Sequence, residues 1–225
     1  IRWDALLNSD HRDIIVKSDR THMDVEAQGC CSHGLIDRVK KATVWDLHAN
    51  SWAHVGPPLR PCAEDVRWFE HWANTVTCPQ PEALLLGVTP EIATMRWPRN
   101  THLLAVEQNP TMVEQVWPEK GTPVQARAIC GDWFEVCRSD AQWQIVVGDG
   151  IFSTLNPQVG VDFVEGLRSS LTPDGLLLIR TFVCHGERES LRYLHQELFD
   201  GNIDSFNTYK WRLAMALQTS PERGV

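Results

Sequence analysis

Three acids and one arginine stand where they could grip a polar ligand. Glu107 ends the apolar run THLLAVE, and its two oxygens can hold two neighbouring hydroxyls, as on a ribose. Equally, it can cap the helix that Asn109 and Pro110 announce. Asp132, in CGDWFEV, can accept from an amino group on a heterocycle while Trp133 lies against the ring. The alternative is a turn aspartate beside a core tryptophan. Asp149, in VVGDGIFSTLN, has a glycine on each side, so its carboxylate can take an ammonium unless Gly-Asp-Gly is a plain turn. Gly87 in ALLLGVTPE allows a close backbone approach, Thr89 suits a helix N-cap and Pro90 a first helical turn. Amides exposed there can meet an anion, or the loop is only a crossover. Glu91 follows in the same loop. Arg60, in PLRP, can bind a carboxylate through two donors or sit on a surface turn. For proton removal the candidates are His48, His54 and His185, each with an alternative as an ordinary half-buried or surface histidine.

The elements that must position these residues follow from the hydrophobic pattern. Ala83–Gly87, Thr101–Glu107, Val124–Cys130, Gln144–Asp149 and Gly175–Val183 are short apolar runs. Helical segments alternate with them: PEIATMRW, NPTMVEQVW and NPQVGVDFVEGLRSSL. Near-continuous apolar strands separated by helices predict a parallel sheet covered on both faces. Right-handed crossovers make it a doubly wound α/β fold, in which ligands bind outside the carboxyl ends of the strands. Upstream, TVWDLHANSWAHV and AEDVRWFEHWANTV read as helices separated by the proline turn GPPLRP. The expected division is an N-terminal helical cap over residues 1–80 and a cofactor-binding domain over 81–225. Near the C-terminus FNTYKWRLAMAL reads as a helix.

Taken in order, these stretches resemble a class I S-adenosylmethionine-dependent methyltransferase, over about Glu82 to Val183. LLLGVTPE resembles the loop that cradles the methionine part of the cofactor. LLAVEQNPTMV resembles the motif whose acid holds the ribose, AICGDWFEV the adenine site, and WQIVVGDGIFSTL the motif lining cofactor and acceptor. LRSSLTPDGLLLIRTF resembles the helix, turn and strand that follow. The resemblance implies a Rossmann-like fold and S-adenosylmethionine as cofactor, with S-adenosylhomocysteine as product. It implies cofactor contacts from Arg60, Gly87, Val88, Thr89, Glu107, Gln108, Met112, Gly131, Asp132, Trp133, Gly148, Asp149 and Gly150. WDLHANSWAHVGPPLRPCAEDV resembles a cap segment, which would bring Arg60 to the cofactor's carboxylate. Trp45 and Trp52 then wall an acceptor pocket, or are core aromatics. The chain departs from the family pattern where an acid usually precedes the first glycine by two residues: Leu85 stands there. Thr89 and Glu91 replace later glycines, and no closing pair of antiparallel strands is evident, which would leave a sheet edge to be covered.

Composition narrows the function. The chain of 225 residues is 43% hydrophobic and 22% charged, ordinary for a globular protein. Its formal net charge of −8 repels phosphate backbones, so nucleic acid is not the expected partner; a small-molecule methyl acceptor is. No apolar run approaches the roughly 20 residues that cross a bilayer. IRWDALLNSDHRD is interrupted by charges and fits no secretory signal, and its opening isoleucine implies an upstream start. Seven scattered cysteines fit a reducing compartment, hence a cytoplasmic protein. Cys30, Cys31 and His33, with His22 and Asp24 nearby, match no closed zinc spacing, and no metal is expected. A nicotinamide-dependent oxidoreductase would want G-x-G-x-x-G after the first strand, which is absent. A domain that binds the cofactor without turnover is the other alternative.

Overall fold

The computed structural model describes residues 5–7, 13–17, 43–182 and 188–218. In chain order its elements are β1 (Ala5–Leu7), β2 (Asp13–Lys17), α1 (Val44–Asn50), α2 (Ala63–Ala73), β3 (Glu82–Leu86), α3 (Pro90–Ala93), β4 (His102–Glu107) and α4 (Pro110–Val116). Then follow β5 (Gln125–Cys130), α5 (Trp133–Cys137), β6 (Trp143–Asp149), α6 (Pro157–Ser170), β7 (Leu171–Arg180), α7 (Leu191–Phe199) and α8 (Phe206–Leu217). Short 3-10 turns occupy Trp52–His54 and Ile151–Thr154.

The strands form one seven-stranded sheet in the order β1-β2-β7-β6-β3-β4-β5. β3 to β7 are all parallel, giving the expected doubly wound, Rossmann-like architecture. The parallel part starts at β3, runs outward to β4 and β5, then returns to the other side of β3 for β6 and β7. The order therefore reverses between β3 and β6, and the crevice outside their carboxyl ends is where such sheets bind ligands. Gly87 and Asp149 sit at those two ends.

Alternation along the strands divides the core. Ala83, Leu85, Leu103, Ala105, Ile145, Val147, Leu176 and Leu178 face one way, against Phe69 of α2, Ile92 of α3 and Met112 and Val116 of α4. Leu84, Leu86, Val106, Val146, Leu177 and Ile179 face the other, against Phe163 and Leu167 of α6 and Cys137 of α5. Each buried Leu or Ile contributes roughly 1.5–3 kcal/mol. Burial of the Cys137 thiol in this second core pushes its pKa up to about 12.

Three features differ from the expectation. First, residues 1–80 are not only a cap: β1 and β2 join the sheet, β1 antiparallel to β2 and β2 antiparallel to β7, with Ile14 opposite Ile179 and Val16 opposite Leu177. The sheet edge foreseen as bare is thus covered from the N-terminal side. Second, the helix expected over PEIATMRW stops at Ala93, where the Thr94 hydroxyl donates back to Pro90 O (2.8 Å) and Trp97 Nε1 donates to Ile92 O (3.1 Å). Third, α5 and α7 are additional helices. Among the described residues no helix is long and apolar enough to cross a membrane.

Candidate active site

Glu107 leaves the end of β4 half-buried. The Asn109 N–H donates to its Oε1 (2.8 Å), and a Cβ placed on Gly87 would lie 3.8 Å from its Oε2. Gly87 has φ +97°, a left-handed conformation costly for any side chain, and its N–H donates to Val106 O (2.8 Å). The β3 loop and the β4 acid therefore face each other across a gap that glycine keeps open. Burial pushes the Glu107 carboxyl above its ordinary value, opposed by the Asn109 and Gln108 backbone N–H groups.

Asp149, at the end of β6, meets a partner that sequence reasoning missed. Arg180, the last residue of β7, donates from Nε to Asp149 Oδ1 (2.6 Å), and both side chains are only 7% exposed. The Arg180 Nη1 donates to Pro58 O (2.9 Å) and lies 3.7 Å from Asp65 Oδ2 of α2. Burial raises the pKa of Asp149 against the pull of Arg180. Arg60 likewise has a partner, donating from Nε to Glu91 Oε1 (2.7 Å) and from Nη1 to Trp52 O (3.1 Å) and Val55 O (3.3 Å). Its guanidinium lies 4.9 Å from the Trp52 ring centre, a cation–π distance. Glu91 Oε2 is buried with no hydrogen-bond partner among the described residues.

The cap is tied down on its other side by Asp46 of α1. Its Oδ1 accepts from Thr111 Oγ1 (2.7 Å) and Asn109 Nδ2 (3.0 Å), beside the loop that carries Glu107. These donors, Thr111 foremost, with Thr43, hold the Asp46 carboxyl well below the usual range.

The remaining expected residues fall into two groups. Val88 and Thr89 are buried in the β3 loop, Thr89 at the N-cap of α3 without a capping hydrogen bond from its side chain. Gly150, at φ +65°, donates its N–H to Arg180 O (2.9 Å), and the Gly131 N–H donates to Glu107 O (3.0 Å); both stay at strand ends. Gln108 is exposed and its carbonyl accepts from Cys130 Sγ (3.3 Å). The others are engaged within the protein. Asp132 caps α5, accepting from Phe134 N (2.8 Å), and Trp133 Nε1 donates to Val106 O (2.6 Å) while its ring packs on the second core. Met112 lies in the first core, and Gly148 provides clearance for Ile151 and Ile179, each 3.1 Å from where a Cβ would be. His48 is half-buried on α1 with Trp45 5.5 Å away, and His54 is exposed on its 3-10 turn. His185, Cys30, Cys31, His33, His22 and Asp24 lie outside the described residues. The signal that would have found Arg180 is a lone charge inside the otherwise uncharged run Gly175–Val183.

No family model matches this sequence, and no curated protein does. Solved structures are similar. A DhpI complex with SAH is matched over 66% of this chain and 72% of that one, at 15% identity and a TM-score of 0.47. The CcbJ methyltransferase from Streptomyces caelestis is matched over 59% of this chain and 54% of that one, at 16% identity and a TM-score of 0.48. A SAM-dependent methyltransferase from Geobacter sulfurreducens, in complex with S-adenosyl-L-homocysteine, is matched over 61% and 55%, at 20% identity and a TM-score of 0.46. The chain spans a little over half the length of these last two. The likeness is one of fold: the chain resembles S-adenosylmethionine-dependent methyltransferases in its Rossmann-like α/β architecture.

Proposed function

We propose that the protein is an S-adenosylmethionine-dependent methyltransferase acting on a small-molecule acceptor. The observation that carries this reading is the facing pair beside the point where strand order reverses: a desolvated Glu107 carboxylate at the end of β4, opposite Gly87, a residue without a side chain, at the end of β3. The donor set fits the cofactor. Glu107 Oε2 offers an acceptor to ribose hydroxyls, and the orphaned Glu91 Oε2 offers one to an ammonium. Asp149 is a second acceptor for that ammonium, and Arg60 the donor to the carboxylate. Bound there, the cofactor supplies a methyl group on a sulfonium. The protein's own work is to exclude water under the cap and to hold the acceptor in line, and positioning of this kind supplies roughly 7–11 kcal/mol. Where the acceptor must lose a proton, His48 is the candidate base: burial, then the Lys210 charge, lower its pKa and so favour the neutral form that can accept.

Thermal unfolding with S-adenosylhomocysteine tests the reading. At roughly 100 times its dissociation constant the ligand should stabilise the protein by about 2.7 kcal/mol. Glu107→Ala should lose most of that gain. A shift with a nicotinamide dinucleotide and none with either form of the cofactor would sink it. The pairing of Arg60 with Glu91 and of Arg180 with Asp149 supports a second reading, a cofactor-binding domain without turnover, because the Arg60 guanidinium and the Asp149 carboxylate already have partners within the protein. Cofactor binding without label transfer to any of a pooled set of metabolites would favour that second reading.

A further inference from the structure

The face of α8 turned toward the cap has no role in the site as described so far. Asn207, Lys210 and Trp211 stand three and four residues apart, so they share one side of the helix. Each reaches a different wall. A Cβ on Gly56 of the cap would lie 3.3 Å from Asn207 Nδ2. The charge of Lys210 acts on His48 of α1. The Trp211 ring lies 4.0 Å from that of Phe182, inclined at 39°. Phe182 in turn follows β7 and comes within 3.7 Å of where a Cβ on Gly150 would be. The other side of α8 is held by α7 and the segment before it. There Arg212 donates to Glu189 from Nε (2.9 Å) and Nη2 (2.6 Å), and Tyr209 lies 6.4 Å from His195. α8 therefore bridges the cap and the ends of β6 and β7, beside the crevice.

The chemistry collected on that bridge is specific. It comprises two half-buried aromatic rings packed at a tilt, with the Arg180 guanidinium 5.2 Å from the Phe182 ring centre, and beside them an exposed ammonium, an amide and a half-buried imidazole. Nearby acids are answered elsewhere: Asp46 by Thr111 and Asn109, Asp149 by Arg180. Aromatic rings select a flat π-system, and a lysine beside them selects an oxygen that carries or develops negative charge. We propose that this face of α8 is the acceptor wall of the site and takes a planar aromatic molecule bearing an acidic oxygen. The ring of that molecule stacks on Trp211 and Phe182, and its oxygen faces Lys210. The acceptor role rests on the methyltransferase reading; the binding preference does not.

Calorimetric titration of the full chain with 4-hydroxybenzoate, with and without S-adenosylhomocysteine, tests this. Cyclohexanecarboxylate keeps the charge and lacks the ring; 4-hydroxybenzamide keeps the ring and lacks the carboxylate. Saturable binding of 4-hydroxybenzoate is expected, roughly tenfold weaker for each control and for Lys210→Met or Trp211→Leu. Lys210 is exposed, so its variant keeps the fold, and its affinity for S-adenosylhomocysteine should not change. The proposal is overturned if 4-hydroxybenzoate does not bind, if cyclohexanecarboxylate binds equally well, or if Lys210→Met leaves the affinity unaltered. Aromatic binding with the expected variant pattern, but without any binding of S-adenosylhomocysteine, would uphold the aromatic site and remove the methyltransferase reading.

Discussion

Arg180 and Asp149 form a buried ion pair at adjacent strand ends, 2.6 Å from Nε to Oδ1, and the same guanidinium reaches Pro58 O in the cap. The acid expected to receive a ligand's ammonium thus already faces a cation. That cation also fastens the cap to the sheet. A second clamp, Arg60 to Glu91, joins the cap to α3. Cap and crevice are therefore one charged assembly, and a ligand that enters must exchange contacts with it.

Removing one partner of a buried pair strands the other charge in a low dielectric, which typically costs about 3–5 kcal/mol. Arg180→Met should destabilise the protein by that amount in chemical denaturation. Adding Asp149→Leu removes the stranded charge and should recover most of the loss. Equal and additive losses in the two single variants would show that the pair is not coupled.

For Glu107 the sign follows from its raised pKa. The folded state holds this proton more tightly than the unfolded chain. Its contribution to stability is therefore fully present below the ordinary value near 4.5 and is lost as pH rises through the folded value. Glu107→Gln should be at least as stable as the parent at neutral pH without ligand, because it removes a desolvated charge. In the parent, stabilisation by S-adenosylhomocysteine should grow over the same rise in pH, as the carboxylate forms; in the Gln variant it should be small and flat. Melting curves with and without ligand across the acid range read both slopes.

The parallel half of the sheet was legible because its buried strands are short apolar runs, and at three of them the run closes at a glycine or an acid: Gly87 after β3, Glu107 on β4 and Asp149 on β6. For that reason Gly87, Glu107 and Asp149 lie where expected. What was not legible depends on distant partners. β1 and β2 are short, and the pairing of β2 with β7 joins segments far apart in the chain, with no local signal. Of the two expectations for Trp133, a ring for a ligand to lie against or a core tryptophan, the contacts made within the protein match the second: its indole N–H donates to Val106 O and its ring packs on the second core. Met112 likewise turned into the first core because α4 presents that side to the sheet. Arg180 is the lone charge inside the run Gly175–Val183, yet its partner comes from another strand. The clamp from Arg60 to Glu91 required knowing how the proline turn folds back over α3.

The hairpin β1–β2 makes a prediction about association. Its antiparallel ladder with Leu176–Arg180 occupies the outer edge of β7. Deleting residues 1–18 would bare the amides and carbonyls of that apolar strand, a template for another chain. The truncated protein should self-associate in a concentration-dependent way, seen by sedimentation. Its β7 amides should exchange faster than in the full chain. A monomeric truncation with unchanged exchange at Leu177 and Ile179 would mean the hairpin does not protect this edge.

The contact between α8 and the cap can be read on a single ring. Burial, then the positive charge of Lys210, favour the neutral form of His48 in the folded protein, so the ring should titrate below the ordinary 6.5. For such a depressed base, the contribution to stability is present above the ordinary value and is lost as pH falls through the folded one. Lys210→Met removes only the smaller cause. The midpoint, followed by NMR of the imidazole, should therefore rise in this variant without returning to 6.5. A full return would mean that the charge, and not burial, dominates. No movement would mean that α8 does not approach α1 closely enough in solution to act on it, and the bridge that forms the acceptor wall would lose one of its three supports.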